Sequence, residues 1–225
     1  MRIEIIGGMG VGKTTLCNGL EDIGLRCVYE ALEKNPYLDL CYQDPETYGF
    51  YSQISFILGN FHTATQQNED GKITFFDYST ITDKAYASLF LKGRGRQIAL
   101  DMIDFMEEKE GRADLFLYLT CSPEAQLERI RSRQRPHEKN VDIEFIRNLD
   151  AYIARFVHMA EIEGARVLTL DTEALDLRHD TDFITSLTKQ IRQTFQTPFA
   201  KVVPGQSRRG TVSAGNDFVA MAEAV

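Results

Sequence analysis

Short apolar runs alternate along the chain with longer stretches of helical period. The runs at 2–6 (RIEII), 25–29 (LRCVY), 73–77 (ITFFD), 115–120 (LFLYLT) and 166–170 (RVLTL) have the length and the β-branched or aromatic content of buried strands. Between them, apolar positions recur three and four apart over 13–23, 45–67, 82–109, 123–133, 142–162 and 181–195, which predicts helices. Strands and helices in this alternation build a parallel sheet covered by helices, so the fold class is α/β. In 45–67 the periodic positions are Phe50, Ile54, Ile57, Leu58 and Phe61. The aromatic density there, with Tyr48 and Phe50, suits either ordinary core or the wall of a pocket. Ser122-Pro123-Glu124 marks a helix start, an N-cap followed by proline at the first helical position.

Composition narrows the function classes. At 225 residues, 43% of them hydrophobic, the chain is expected to form one domain over 1–196. Its tail, 197–225, lacks periodicity and is expected to be loosely ordered or to dock on a partner subunit. A net charge of −8 argues against general binding to nucleic acid or anionic membrane, which needs an excess of Lys and Arg. Cys17, Cys27, Cys41 and Cys121 form no C-x-x-C pair and read as reduced thiols. His62, His137, His158 and His179 are scattered without ligand spacing. No apolar run reaches bilayer length, and the amino-terminal run is too short for a signal peptide, so the expected location is the cytoplasm.

The first strand runs into Gly7-Gly8-Met9-Gly10-Val11-Gly12-Lys13-Thr14, with Thr15 next. This is G-x-x-x-x-G-K-[ST] between a strand and a helix, where the motif has a mechanism. Glycines let successive backbone N–H groups turn inward onto phosphates, and the helix start adds its positive dipole end. Lys13 is expected at the β- and γ-phosphates of ATP and Thr14 on Mg²⁺. A strand-end acid is needed to complete the metal site, and Asp77 provides it. The fold is therefore expected to be a P-loop NTPase with a five-stranded parallel sheet.

Residues 122–139 read SPEAQLERIRSRQRPHEK, with Arg129, Arg131, Arg133 and Arg135 in seven positions. On a helix Arg129 and Arg133 share one face while Arg131 and Arg135 lie nearly opposite, so the four cannot all reach one phosphate. Pro136 is expected to end the helix and open a mobile stretch. The segment has the character of an arginine-rich lid that closes over ATP.

These residues resemble the deoxynucleoside kinase family, particularly its bacterial deoxyadenosine/deoxyguanosine kinase branch, from residue 1 to about 195. The likeness rests on the P-loop, on Tyr29-Glu30-Ala31-Leu32-Glu33-Lys34-Asn35-Pro36-Tyr37-Leu38, on Tyr48-Gly49-Phe50-Tyr51-Ser52-Gln53, and on LFLYLTCSPEAQLERI with the lid. It implies an ATP-dependent kinase acting on the 5′-hydroxyl of a deoxynucleoside, purine slightly favoured, with ATP and Mg²⁺ as cofactors. Glu30 would be the general base, and a carboxylate just past the second strand points independently toward the ligand end of the sheet. Gln53 would read the base, Tyr37 and Phe50 would contact sugar or base, and Asp77 and Tyr78 would lie at the acceptor. Arg133 and Arg135 would meet the phosphates, with Arg129 on the nucleotide. The family also implies a homodimer, for which the apolar faces of 46–67 and 82–106 are candidates.

Two departures keep alternatives open. The family follows its strand-end acid with Arg-Ser, whereas here Asp77 is followed by Tyr78-Ser79; its Glu-Pro-Val becomes Glu30-Ala31-Leu32. Losing an arginine beside Glu30 should raise its pKa. Either Arg94 or Arg96 substitutes, or the acceptor differs (a nucleotide, a modified nucleoside or another hydroxyl compound), or catalysis is reduced. A nucleotide-binding regulatory subunit of a paired kinase is the alternative from a different class.

Overall fold

The computed structural model describes residues 1–67, 72–135, 138–175, 177 and 180–196. The expected tail at 197–225, and Pro136, His137 and His179, lie outside the described residues. Contacts divide the chain into Met1–Thr188 and Lys189–Val225; what is described of the second is the end of one helix.

Five strands form a single parallel sheet: β1 (Arg2–Ile6), β2 (Arg26–Val28), β3 (Thr74–Phe76), β4 (Leu115–Thr120) and β5 (Val167–Asp171), in the order β2-β3-β1-β4-β5. Each expected strand is present within one residue at either end. The order has one consequence for function. The carboxyl ends of β2, β3 and β1 lie side by side, so the segments that follow them, beginning at Tyr29, Asp77 and Gly7, emerge together. This is the edge where open α/β sheets bind ligands.

Eight α-helices are described: α1 (Lys13–Asp22), α2 (Leu38–Gln43), α3 (Pro45–Gln67), α4 (Thr80–Phe90), α5 (Gly93–Glu110), α6 (Pro123–Arg133), α7 (Ile143–Ile162) and α8 (Thr181–Gln196). One core joins the sheet residues Ile6 and Phe116 to Ile81 and Ala85 of α4, Ile130 of α6 and Ile146, Leu149 and Ile153 of α7. A second joins Ile57 and Phe61 of α3 to Ala87 of α4 and Ala99 and Ile103 of α5. Leu58, within the same apolar stripe as Ile57, is 51% exposed.

The single helix expected over 82–109 is two. Leu91 and Lys92 are extended, and Gly93 follows at φ 51, a left-handed conformation that glycine adopts without steric cost. Apolar periodicity continues across the break because both helices pack on α3, so the pattern hid it. The start of α4 is set by three contacts. The Ser79 hydroxyl accepts the Thr82 N–H at 3.0 Å, an N-cap worth about 1 kcal/mol. Glu4 Oε2 of β1 accepts the Thr80 N–H at 2.9 Å, and Arg2 pairs with Glu4 Oε1 at 2.7 Å, all buried. This ion pair anchors α4 to the central strand.

Candidate active site

At the carboxyl edge of the sheet lies a cavity of about 790 Å³, within the size range of small-molecule sites. Its floor is the loop after β1. Gly10 and Gly12 have φ of 79° and 104°. A Cβ on Gly10 would stand 2.7 Å from the Gln126 carbonyl oxygen, so both backbone sign and space demand glycine there. Lys13 Nζ donates to the carbonyls of Gly7 and Gly8, each at 2.9 Å, fixing the ammonium against the loop. Burial lowers the Lys13 pKa, opposed by the charges of Asp77 and Glu30.

Asp77 stands where the strand order predicts, its N–H held by the Val28 carbonyl at 2.9 Å. The Thr14 hydroxyl donates to Asp77 Oδ2 at 2.6 Å, while the buried Oδ1 has no hydrogen-bond partner. Burial raises the Asp77 pKa against the opposing pull of Lys13. Two hard oxygen donors side by side, one carrying an unsatisfied oxygen, fit Mg²⁺, which takes one or two protein oxygens and fills its octahedron with phosphate and water. Among the described residues no group of three or more His, Cys, Asp and Glu is arranged to hold a metal by itself.

Arg129 is engaged in holding the structure together. Its Nη2 donates to the Thr172 carbonyl at 2.9 Å and its Nη1 to Gly10 O at 3.3 Å, and Thr172 Oγ1 donates to Val11 O at 2.7 Å. Together they tie the phosphate loop to the segment after β5, whose Leu175 and Leu177 line the cavity beside Arg129. Arg133 and Arg135 also line it. Arg133 makes a two-pronged pair with Glu138, Nε to Oε2 at 2.7 Å and Nη2 to Oε1 at 2.6 Å, and Arg135 lies 3.7 Å from Oε1.

Glu30 lies on the wall facing Lys13 and Asp77. Burial pushes its pKa up to about 7, with Lys13 and a hydrogen bond from Asn60 pulling down and Asp77 adding to the rise. Gln53, buried at 4% exposure, lines the same cavity, as do Asp83, Tyr86 and Phe90. The rings of Tyr86 and Phe90 stack at 6.2 Å, 7° from parallel, and Tyr42 meets Phe90 edge-on at 6.0 Å.

The structure therefore brings Met9, Gly10, Gly12, Lys13, Thr14, Thr15, Glu30, Gln53, Asp77, Arg129, Arg133 and Arg135 onto one cavity. Tyr37, Tyr48, Phe50 and Tyr78 are not on its wall. Tyr37 packs at a tilt against Tyr51, 5.5 Å between ring centroids, and Phe50 is 37% exposed with its ring near Gly95. Tyr78 is 4% exposed, packed edge-on against Phe76, its hydroxyl donating to the Asn60 carbonyl. Neither Arg94 nor Arg96 lines the cavity, so neither takes the place of the missing arginine; both belong to the first turn of α5, Arg94 exposed and Arg96 half-buried. The aromatic wall comes instead from Tyr42, Phe56, Tyr86 and Phe90. Sequence reasoning missed Tyr42, Asn60, Asp83 and Glu138. For Asp83 a signal existed, an acid at a core-facing position of α4 between Ile81 and Ala85.

Comparison with known proteins agrees with this geometry. The deoxynucleoside kinase family profile matches residues 3–196. The chain is 31% identical over 173 residues to a deoxyadenosine kinase of Dictyostelium discoideum, covering 71% of each protein. It is 25% identical over 181 residues to a deoxyguanosine kinase of Bacillus subtilis, covering 77% of this chain and 87% of the relative. A deoxyadenosine kinase structure from M. mycoides has the same fold, with a TM-score of 0.69 at 23% identity, covering 85% of this chain and all of the other. The chain belongs to the deoxynucleoside kinase family and is an ATP-dependent nucleoside kinase.

Proposed function

We propose that the acceptor is a purine deoxynucleoside, phosphorylated at its 5′-hydroxyl with Glu30 as general base and Mg²⁺ held by Thr14 and Asp77. The observation that carries the reading is the convergence of Glu30, Lys13 and the Thr14–Asp77 pair on one cavity at the sheet edge. When bound, Mg²⁺ would neutralise charge on the β- and γ-phosphates. The loop amides and Lys13 hold the phosphates. The acceptor oxygen attacks the γ-phosphorus in line as the bond to the bridging oxygen breaks, ADP leaves, and the hydroxyl proton passes to Glu30. A base with a pKa of about 7 is half ionised near neutrality and takes that proton readily. Arg133 and Arg135 stand where they can meet charge on the transferring group.

Support for a purine comes from the site and from its relatives. The Gln53 amide offers a donor and an acceptor to a base edge, and the stacked Tyr86 and Phe90 suit a large flat ring. Several similar proteins carry purine-specific names. Exposed Leu58 on α3 and Ile98 and Phe105 on α5 support a homodimer through this pair of helices. Among the described residues no helix is long and apolar enough to cross a membrane, and a cytoplasmic site of action fits the four free cysteines.

The test is ADP formation with Mg·ATP against the four common deoxynucleosides and their ribonucleoside counterparts. Highest kcat/KM on deoxyadenosine or deoxyguanosine is expected. Preference for deoxycytidine or thymidine would overturn the purine reading, and full turnover by Glu30→Gln would overturn the base.

A further inference from the structure

An arginine next to the strand-end acid is absent from this chain, and no described cation takes its place beside Glu30 on the acceptor side. An amide faces Glu30 there. Asn60 Nδ2 of α3 lies 3.4 Å from Glu30 Oε1 and 3.1 and 3.2 Å from the two carboxylate oxygens of Asp83 on α4. Asn60 is itself held: it is 7% exposed, and the Tyr78 hydroxyl donates to its carbonyl at 3.1 Å. Tyr78 is in turn fixed by its edge-on contact with Phe76, 5.5 Å between centroids. The residue standing in for the arginine thus reaches the base through the backbone of Asn60.

We infer that Asn60 is a positioning residue for phosphoryl transfer, its amide, anchored by Tyr78, bridging two buried carboxyl groups and keeping Glu30 turned to the acceptor hydroxyl. The inference rests on Glu30 being the base. Two buried carboxyls with no cation between them repel when both are ionised, and one amide nitrogen carries two N–H groups, one for each. Burial raises both acids, and the Glu30 charge raises Asp83 further, well above the ordinary range.

The other groups around the pair are accounted for. Lys13 of α1 lowers Glu30 and Asp77 after β3 raises it. Glu4 of β1 and Glu107 of α5 raise Asp83. Tyr42, Tyr78 and Tyr86 are all pushed up and remain neutral. The Asn60 amide is the one hydrogen-bond donor to Glu30 among the described residues, so its removal should act on the ionised base directly.

The experiment is the pH dependence of kcat/KM for deoxyadenosine and deoxyguanosine in the wild type, Asn60→Ala and Asn60→Asp, with Glu30→Gln alongside and ATP affinity measured for each. Asn60→Ala should move the acid limb up by about one pH unit, about a tenfold loss at pH 6, with the high-pH plateau changed far less. Asn60→Asp, of the same shape but with a third carboxyl, should move it further in the same direction and serves if the alanine variant does not fold. Variants that bind ATP normally and show an unmoved limb overturn the inference while leaving an inactive Glu30→Gln, and hence the base, intact. An active Glu30→Gln removes the base itself. A purely structural Asn60 would lower the plateau and leave the limb in place.

Discussion

Arg133 and Glu138 form a fork-to-fork ion pair at 2.7 and 2.6 Å, with the Glu138 carboxylate 3% exposed and the guanidinium about one third exposed. The pair joins the end of α6 to the segment beyond it on the cavity wall. A bidentate geometry satisfies both carboxylate oxygens, which is the condition under which a partly buried pair repays its desolvation.

Removing only the arginine should therefore be costly. Arg133→Ala removes the bidentate partner of the buried Glu138 carboxylate, with Arg135 at 3.7 Å, and about 2 kcal/mol of stability should be lost, less than for a fully buried pair because water reaches the guanidinium. Arg133→Ala combined with Glu138→Ala should lose less than the sum of the two single changes. Urea denaturation of the four proteins checks this, and strict additivity would mean the pair contributes nothing.

Glu30 links activity to stability through pH. Its pKa is about 7 in the folded chain against the model carboxylate value of 4.5, so the folded state binds this proton more tightly than the unfolded state. The stability it contributes is fully present below about pH 4.5 and is lost as pH rises through 7. Turnover under the proposed mechanism has the opposite need, since Glu30 as base would work ionised, and kcat/KM should fall below about pH 7. Glu30→Gln should abolish turnover and raise stability at pH 8 by about 1–2 kcal/mol, the residual solvent contact of a position that is not fully enclosed trimming the full linkage value. Thermal melts at pH 5 and pH 8 read this directly: the gain should be confined to pH 8.

The nucleotide loop allows a sharper test. Gly10→Ala would place a Cβ at 2.7 Å from the Gln126 carbonyl on a backbone with φ 79, and neither backbone can move without shifting the loop or α6. ATP affinity should fall by at least about tenfold, measured by calorimetry. Gly24→Ala, also at positive φ but with nothing within 4 Å of the new Cβ, should cost about 1 kcal/mol of stability and leave ATP affinity unchanged.

Much of this site was legible because its chemistry is carried by local pattern. The strand–glycine–helix sequence at 7–14 and the acid closing β3 each constrain their own backbone, and parallel strand order then forces Lys13, Glu30 and Asp77 together. Tyr78 was legible as a departure but not as a position. Whether a residue just past a strand points to the cavity or into the core depends on neighbours such as Phe76, Val28 and Ala64, which come from three different elements. Phe50 lies off the cavity wall for a related reason: helical spacing shows that a stripe is apolar but not which partner covers it. Asn60 gave no signal, because its role exists only once α3 lies across α4 and the β2 loop.

The last expectation separates a nucleoside from a nucleotide as the acceptor. The cations of the cavity, Lys13, Arg129, Arg133 and Arg135, belong to the phosphate loop and lid, and the acids Glu30, Glu33, Asp77, Asp83 and Glu138 line the same cavity. A 5′-phosphate on the acceptor would add two negative charges beside Glu30 and Asp77 and would occupy the oxygen that must attack. Deoxyadenosine monophosphate and deoxyguanosine monophosphate should accordingly be turned over at under about 1% of the rate of the free nucleosides, a discrimination of about 3 kcal/mol in kcat/KM. Parallel assays with each nucleoside and its monophosphate check it. Comparable rates would require a cation at the acceptor end and would point to a different binding pose.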